Sequence, residues 1–187
     1  MRGPRGTPRA FGIAVVSALA ALVVLGTGMA GYVEAGLGDG QGLWGTVGRV
    51  LAPWSVAVLL CALTVTLHAF ACHAVFIEYL DCSFSRLRLI LGMLVIVLAH
   101  AAEIQIFGVG LYAYADAVGE TLGGVSQGRL IDYLYFSYAN YTSLGFGDIY
   151  AEESMRLIAG VEALTGLLMI GWSASMTVVV FRREWFK

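Results

Sequence analysis

The chain has 187 residues, of which 59% are hydrophobic and only 13% charged, with a formal net charge of −2. A soluble domain carries roughly twice that charged share, so the composition points to a membrane protein. No basic patch is available to follow a nucleic-acid backbone, and Cys61, Cys72 and Cys82 fit no disulfide framework and read as reduced thiols.

Apolar runs of about 20 residues cross the hydrocarbon core as helices. Four occur, at residues 11–30, 54–77, 87–112 and 157–181. The first carries Gly12, Ala14, Ala18 and Ala21, small residues that suit close helix packing. Residues 1–30 also read as a signal peptide, with a basic start, an apolar stretch at 13–25, and Gly28 and Ala30 before a cleavage point. A retained helix is preferred because the apolar stretch continues to Ala30. Residues 36–48 are rich in glycine and read as an outer loop, and Pro53 suits the first turn of the second helix. On that helix His68 and Cys72 share a face, with His73 beside them. No second cluster is evident to complete a metal site, so packing and helix–helix hydrogen bonding is the preferred role.

The third helix carries His100 and Glu103, three apart and so on one face. Residues 130–140 are apolar and aromatic but number only about 11, too short to span; they suit a re-entrant helix buried in protein. Arg2, Arg5, Arg9, Arg86, Arg88, Arg182, Arg183 and Lys187 fall on one side of a four-span arrangement, against Arg49, Arg129 and Arg156 on the other. The positive-inside rule then places both termini and the 78–86 loop in the cytoplasm, with the short helix entering from outside. Tyr32, Trp54, Tyr112 and Trp185 lie near span ends, as interfacial aromatics do. No helix carries arginine at every third position, so a voltage sensor of the usual kind is not expected.

The segment Thr142-Ser143-Leu144-Gly145-Phe146-Gly147-Asp148 follows the short helix directly. Glycine at alternate positions lets a strand of backbone turn successive carbonyl oxygens the same way, through dihedral regions that other residues avoid. Four copies around an axis would stack rings of oxygens that replace the water shell of an ion.

Short helix, glycine-flanked loop, acidic linker and spanning helix in this order resemble the pore module of the potassium-channel superfamily, of the small bacterial ion-channel type. The resemblance covers residues 130–180 and takes the third helix as a plausible outer helix, leaving the first two unassigned. It implies a selectivity filter at Ser143, Leu144, Gly145, Phe146 and Gly147. Potassium would be held by the carbonyls of Ser143, Leu144, Gly145 and Phe146, and Ser143 would add its hydroxyl at the innermost site. Thr142 would end the pore helix, whose negative dipole end stabilises a cation in the cavity. The family's usual filter tyrosine is Phe146 here, and its partner tryptophan is Phe136. Ala139 stands where some relatives place a carboxyl, and Tyr135 remains placed to donate a hydrogen bond to Asp148. These departures imply a filter held more by packing than by hydrogen bonds.

Asp132, Asp148, Glu152 and Glu153 would crowd the outer mouth, where rings of carboxylates concentrate cations. Solvated loop charge is the competing role for the two glutamates, with Arg156 partly neutralising them. Gly166, followed by Gly171, falls near the family's gating hinge; close packing of small residues explains the same glycines. Ionisable residues inside spans face protein or water. We therefore expect His100, Glu103 and Glu162 to form one cluster joining outer and inner helices, either as a polar clamp or as a pH sensor.

Together these readings predict an all-α integral membrane protein with four transmembrane helices. A re-entrant pore helix and selectivity-filter loop lie between the third and fourth, in a homotetrameric pore. Residues 1–10 are the cytoplasmic N-terminus, 11–86 two accessory helices with an outer loop, and 87–187 the pore module. The expected function is passive, potassium-selective conduction in the bacterial inner membrane, with no cofactor beyond the permeant ion, no catalysis, and no nucleotide or nucleic-acid partner. The alternatives are a weakly selective cation channel and a non-conducting regulatory subunit of the same fold.

Overall fold

A computed structural model of the protein describes residues 43–80 and 86–185. Helix α1 spans Leu43–Leu80, α2 Arg86–Val118, the short α3 Leu130–Tyr141, and α4 Met155–Trp185. Two-residue strands, β1 (Gly123–Gly124) and β2 (Ile149–Tyr150), pair antiparallel on either side of α3. Among the described residues three stretches are long and apolar enough to cross a membrane: Val50–Val75, Leu89–Val118 and Met155–Val179. The expected first span at 11–30, its signal-peptide alternative, and Cys82 lie outside the described residues.

Two boundaries differ from expectation. Helix α1 begins at Leu43, so residues 43–48 are helical and Pro53 is inside the helix instead of in its first turn. In an apolar solvent a segment satisfies its backbone polar groups best by staying helical. Continuing the helix through Leu43–Ala52 outweighs the single bond that Pro53, lacking an N–H, fails to donate. Helix α2 runs beyond residue 112 to Val118, and stops at Gly119, where φ is +72° and the Glu120 N–H returns to the Ala115 carbonyl at 3.0 Å. Such a left-handed stop is most readily adopted by glycine.

The short helix forms where expected and is capped at both ends. At its start the Asp132 carboxylate accepts the N–H groups of Gln127 (2.9 Å) and Arg129 (3.1 Å), which would otherwise lack partners. At its end the Thr142 hydroxyl donates to the Tyr138 carbonyl at 2.7 Å. Phe107, Leu111, Tyr133, Tyr141, Met155 and Ile158 are fully buried and wrap α3 between α2 and α4. Helix α1 closes the back, packing on both α2 and α4. One face of α2, carrying Leu87, Ile90, Leu91, Leu94 and Leu98, remains exposed, as a lipid-facing surface would be.

Candidate functional site

Residues 142–148 emerge from the C-terminal end of α3 and are exposed throughout in the single chain. Their backbone is left-handed at alternate positions: φ is +58° at Ser143, +55° at Gly145 and +80° at Gly147. The early N–H groups turn back onto α3. Ser143 donates to the Asn140 carbonyl (3.0 Å), and Leu144 and Gly145 both donate to the Ala139 carbonyl (2.9 and 3.0 Å). Among the described residues no backbone hydrogen bond ends on the carbonyls of Ser143, Leu144, Gly145 or Phe146. The loop therefore spends its donors on its own helix and keeps a run of acceptors.

Aromatic packing supports this loop. The Phe146 ring stacks on Tyr135, with centroids 6.1 Å apart and planes within 5°. The Tyr135 hydroxyl donates to Asp148 at 3.0 Å. Phe136 points into the core instead. At the far end of the loop, the Asp148 carbonyl accepts the Val125 N–H at 3.0 Å, which anchors the loop to the β1–β2 ribbon.

The expected acidic mouth is smaller than the sequence suggested. Asp148 and Glu153 are exposed, but Asp132 is buried as the cap of α3. Its carboxyl is held below the ordinary carboxylate value, chiefly by the Gln127 N–H and then by Arg129, with partial burial opposing. A carboxylate committed to backbone donors does not line a mouth.

The expected intramembrane cluster is also rearranged. His100 and Glu103 do meet, with Nδ1 3.3 Å from Oε2. Their further partners are His68 of α1, whose Nδ1 lies 2.9 Å from Glu103 Oε1, and Tyr141, whose hydroxyl donates to Glu103 Oε2. Ser173 of α4 bridges the far nitrogens of both histidines, 3.1 Å from His68 Nε2 and 3.0 Å from His100 Nε2. Glu162 instead accepts from the Asn140 side-chain amide at 2.8 Å and faces Ser137. It is on the same helix as Ser173 but further toward its start, against α3.

Gly166 marks the close passage of α4 over the end of α3. A Cβ there would land on the Tyr141 carbonyl and 2.8 Å from its ring. Gly171 is exposed and open. Close packing thus explains Gly166 directly.

Residues 92–183 match a family model described as ion channel. This segment is an ion-channel pore module. No curated protein and no solved structure matches the chain. The pore module takes in most of α2, all of α3 with its exposed loop, and α4, and leaves α1 outside. With three membrane-length helices besides, the protein is a multi-pass membrane protein. His68, Tyr141, Ser173 and Asn140 were absent from the cluster read off the sequence. His68 carried a usable signal, being, like His100, Glu103 and Glu162, an ionisable residue inside a span. Tyr141 and Ser173 carried none, because neither residue type is unusual in a membrane helix.

Proposed function

We propose that the pore module conducts potassium passively, as a homotetramer in which residues 143–147 of four copies form the selectivity filter. The observation that carries this reading is the alternating left-handed backbone at Ser143, Gly145 and Gly147, with the carbonyls of residues 143–146 left as acceptors, inside an ion-channel segment. Rings of such carbonyls substitute for the ion's hydration shell. The exposure of Leu144 and Phe146, both more than 60% accessible in the single chain, supports burial of this loop against other copies. Thr142 closes the pore helix and Asp148 stands at the outer mouth. Both termini lie in the cytoplasm of a bacterial cell, with the bilayer as the protein's surroundings. The function requires no covalent step and no cofactor beyond the permeant ion.

A specific observation favours a second reading, weak selectivity. The filter's brace is a ring stack, Phe146 on Tyr135, plus one hydrogen bond to Asp148. Packing of this kind fixes oxygen positions less tightly than a hydrogen-bonded brace. Reversal potentials in planar bilayers, with potassium on one side and sodium on the other, separate the two. A potential near the potassium equilibrium value supports the selective channel, a potential near zero supports the weakly selective one, and silence of the purified protein alone supports a regulatory subunit.

A further inference from the structure

We propose that His68, His100 and Glu103 form a binding centre for a divalent transition metal ion of the zinc class, tying α1 to the pore module. This inference stands independently of what the pore conducts.

The three groups come from two helices and converge deep in the protein. His68 and Glu103 are fully buried and His100 is 18% exposed. One ligand atom from each lies within 4.8 Å of the others. Both Nδ1 atoms face the Glu103 carboxylate, at 2.9 and 3.3 Å. The Tyr141 hydroxyl, which contacts Glu103 and lies 3.3 Å from His100 Nδ1, stands beside the fourth position. Two imidazoles and a carboxylate with an open fourth position make a ligand set that zinc accepts.

Counting protons shows why a cation suits this cluster. Each neutral imidazole has one donor and one acceptor nitrogen. If both Nδ1 atoms carry hydrogen and donate to Glu103, both Nε2 atoms are acceptors, and the single Ser173 hydroxyl proton serves only one of them. If both Nε2 atoms carry hydrogen, they donate to the two lone pairs of Ser173 Oγ, and both Nδ1 lone pairs then face a carboxylate. With both neutral rings in the same tautomer, at least one acceptor faces another inside the membrane, a costly state that a cation, whether proton or metal ion, relieves; in the mixed arrangement the lone pair of His100 Nδ1 is left to the Tyr141 hydroxyl, 3.3 Å away. In the second arrangement a metal ion among the two Nδ1 atoms and Glu103 gives both Nδ1 lone pairs and the carboxylate a partner. Ser173 is then the outer partner that fixes the ring tautomers, as acceptors behind metal-bound histidines do. A proton added to one Nε2 of the first arrangement also completes the network, so proton and metal ion are the two occupants that the test separates. A metal ion uses the convergence of all three groups.

The test uses the full-length protein, purified in detergent and stripped with a chelator, then titrated with zinc ion against a chromogenic competitor. Cobalt ion serves as a spectroscopic probe of coordination. The expected result is one tight zinc ion per chain and visible cobalt bands of a low-coordinate nitrogen and oxygen site. His68→Gln and His100→Gln each weaken zinc binding by about 100-fold or more, and Ser173→Ala by about 10- to 100-fold. Cys72→Ser, one turn from His68, leaves binding unchanged. A parent protein that binds no zinc overturns the proposal and leaves the cluster as a hydrogen-bonded clamp holding a proton. Equal binding by His68→Gln and the parent also overturns it, by locating the ion elsewhere. If a histidine variant does not assemble, the parent's stoichiometry and cobalt spectrum decide the question without it: an absent stoichiometric site or a six-coordinate aqua spectrum refutes the centre.

Discussion

The hydroxyl of Tyr141 donates a hydrogen bond to the Glu103 carboxylate, and both side chains are completely buried. Tyr141 is the last residue of α3, immediately before Thr142 and the exposed loop, whereas Glu103 sits in the middle of α2. The end of α3 is therefore fixed to α2 by a charge-assisted bond, and through His68 to α1. Tyr141→Phe keeps the ring and removes only the donor. We expect a loss of about 1–3 kcal/mol, the usual worth of a hydrogen bond to a charged group or of leaving its buried partner short of a donor. Denaturation of the purified protein in mixed micelles measures it, and a variant as stable as the parent would show that the link contributes nothing.

Gly166 and Gly171 make opposite predictions. Gly166→Ala puts a methyl group onto the Tyr141 carbonyl, so α4 and α3 must separate. Overpacking of this kind costs about 1–3 kcal/mol. Gly171→Ala meets no atom within 4 Å and gains up to about 1 kcal/mol of helix propensity. Paired thermal denaturation curves should move in opposite directions. Unchanged stability in Gly166→Ala with altered channel opening would instead restore the hinge role.

Glu162 is buried facing the Ser137 hydroxyl, and among the described residues neither its Oε1 nor that hydroxyl has a partner in good hydrogen-bond geometry. A glutamine at position 162 can accept from Asn140 with its oxygen and donate to Ser137 with its amide nitrogen. Glu162→Gln should therefore be at least as stable as the parent. Glu162→Leu leaves the Asn140 amide with the Ala159 carbonyl alone, one of its two N–H groups short of an acceptor, and should lose about 1–3 kcal/mol. The contrast between the two variants in denaturation midpoint checks the arrangement.

Asp132 gives the fold an acid-sensitive contribution outside the membrane-spanning helices. Its folded value is lowered below the ordinary 3.8, first by the Gln127 N–H and then by Arg129. The unfolded chain therefore takes up the proton first as pH falls. The stabilisation is fully present above 3.8 and disappears as pH drops through the lower folded value. Asp132→Asn, which does not titrate, should show a flatter stability curve across that acid range. Parallel curves for parent and variant would contradict the capping role.

Sequence legibility differed between the fold and the site. The short helix at Leu130–Tyr141 was readable because its apolar, aromatic run is too brief to span. The Tyr135–Asp148 bond was readable from the resemblance, because both residues sit at fixed steps from the 143–147 loop. Pro53 misled, because its liking for a first turn is weaker than the need of membrane backbone to stay helical. His100 and Glu103 could be paired by helical spacing on one element. Their joining to His68 and Ser173, and the separation of Glu162, depend on how α1 and α4 are rotated against α2. Helices apolar on every side carry no face in their sequence to fix that rotation. Asp132 was placed at the mouth because charge alone does not distinguish a solvated carboxylate from a helix cap.

The central claim is conduction through residues 143–147, and flux measures it most directly. Liposomes containing only the purified protein are loaded for potassium-driven flux, with sodium as the paired control and Gly145→Ala as the variant. A Cβ at Gly145 meets no atom within 4 Å in the single chain, so the change acts on the left-handed backbone, φ +55°, and not on packing. The account predicts potassium flux without sodium flux in the parent and its loss in the variant. Equal flux of both ions, or potassium flux that survives Gly145→Ala, would contradict it.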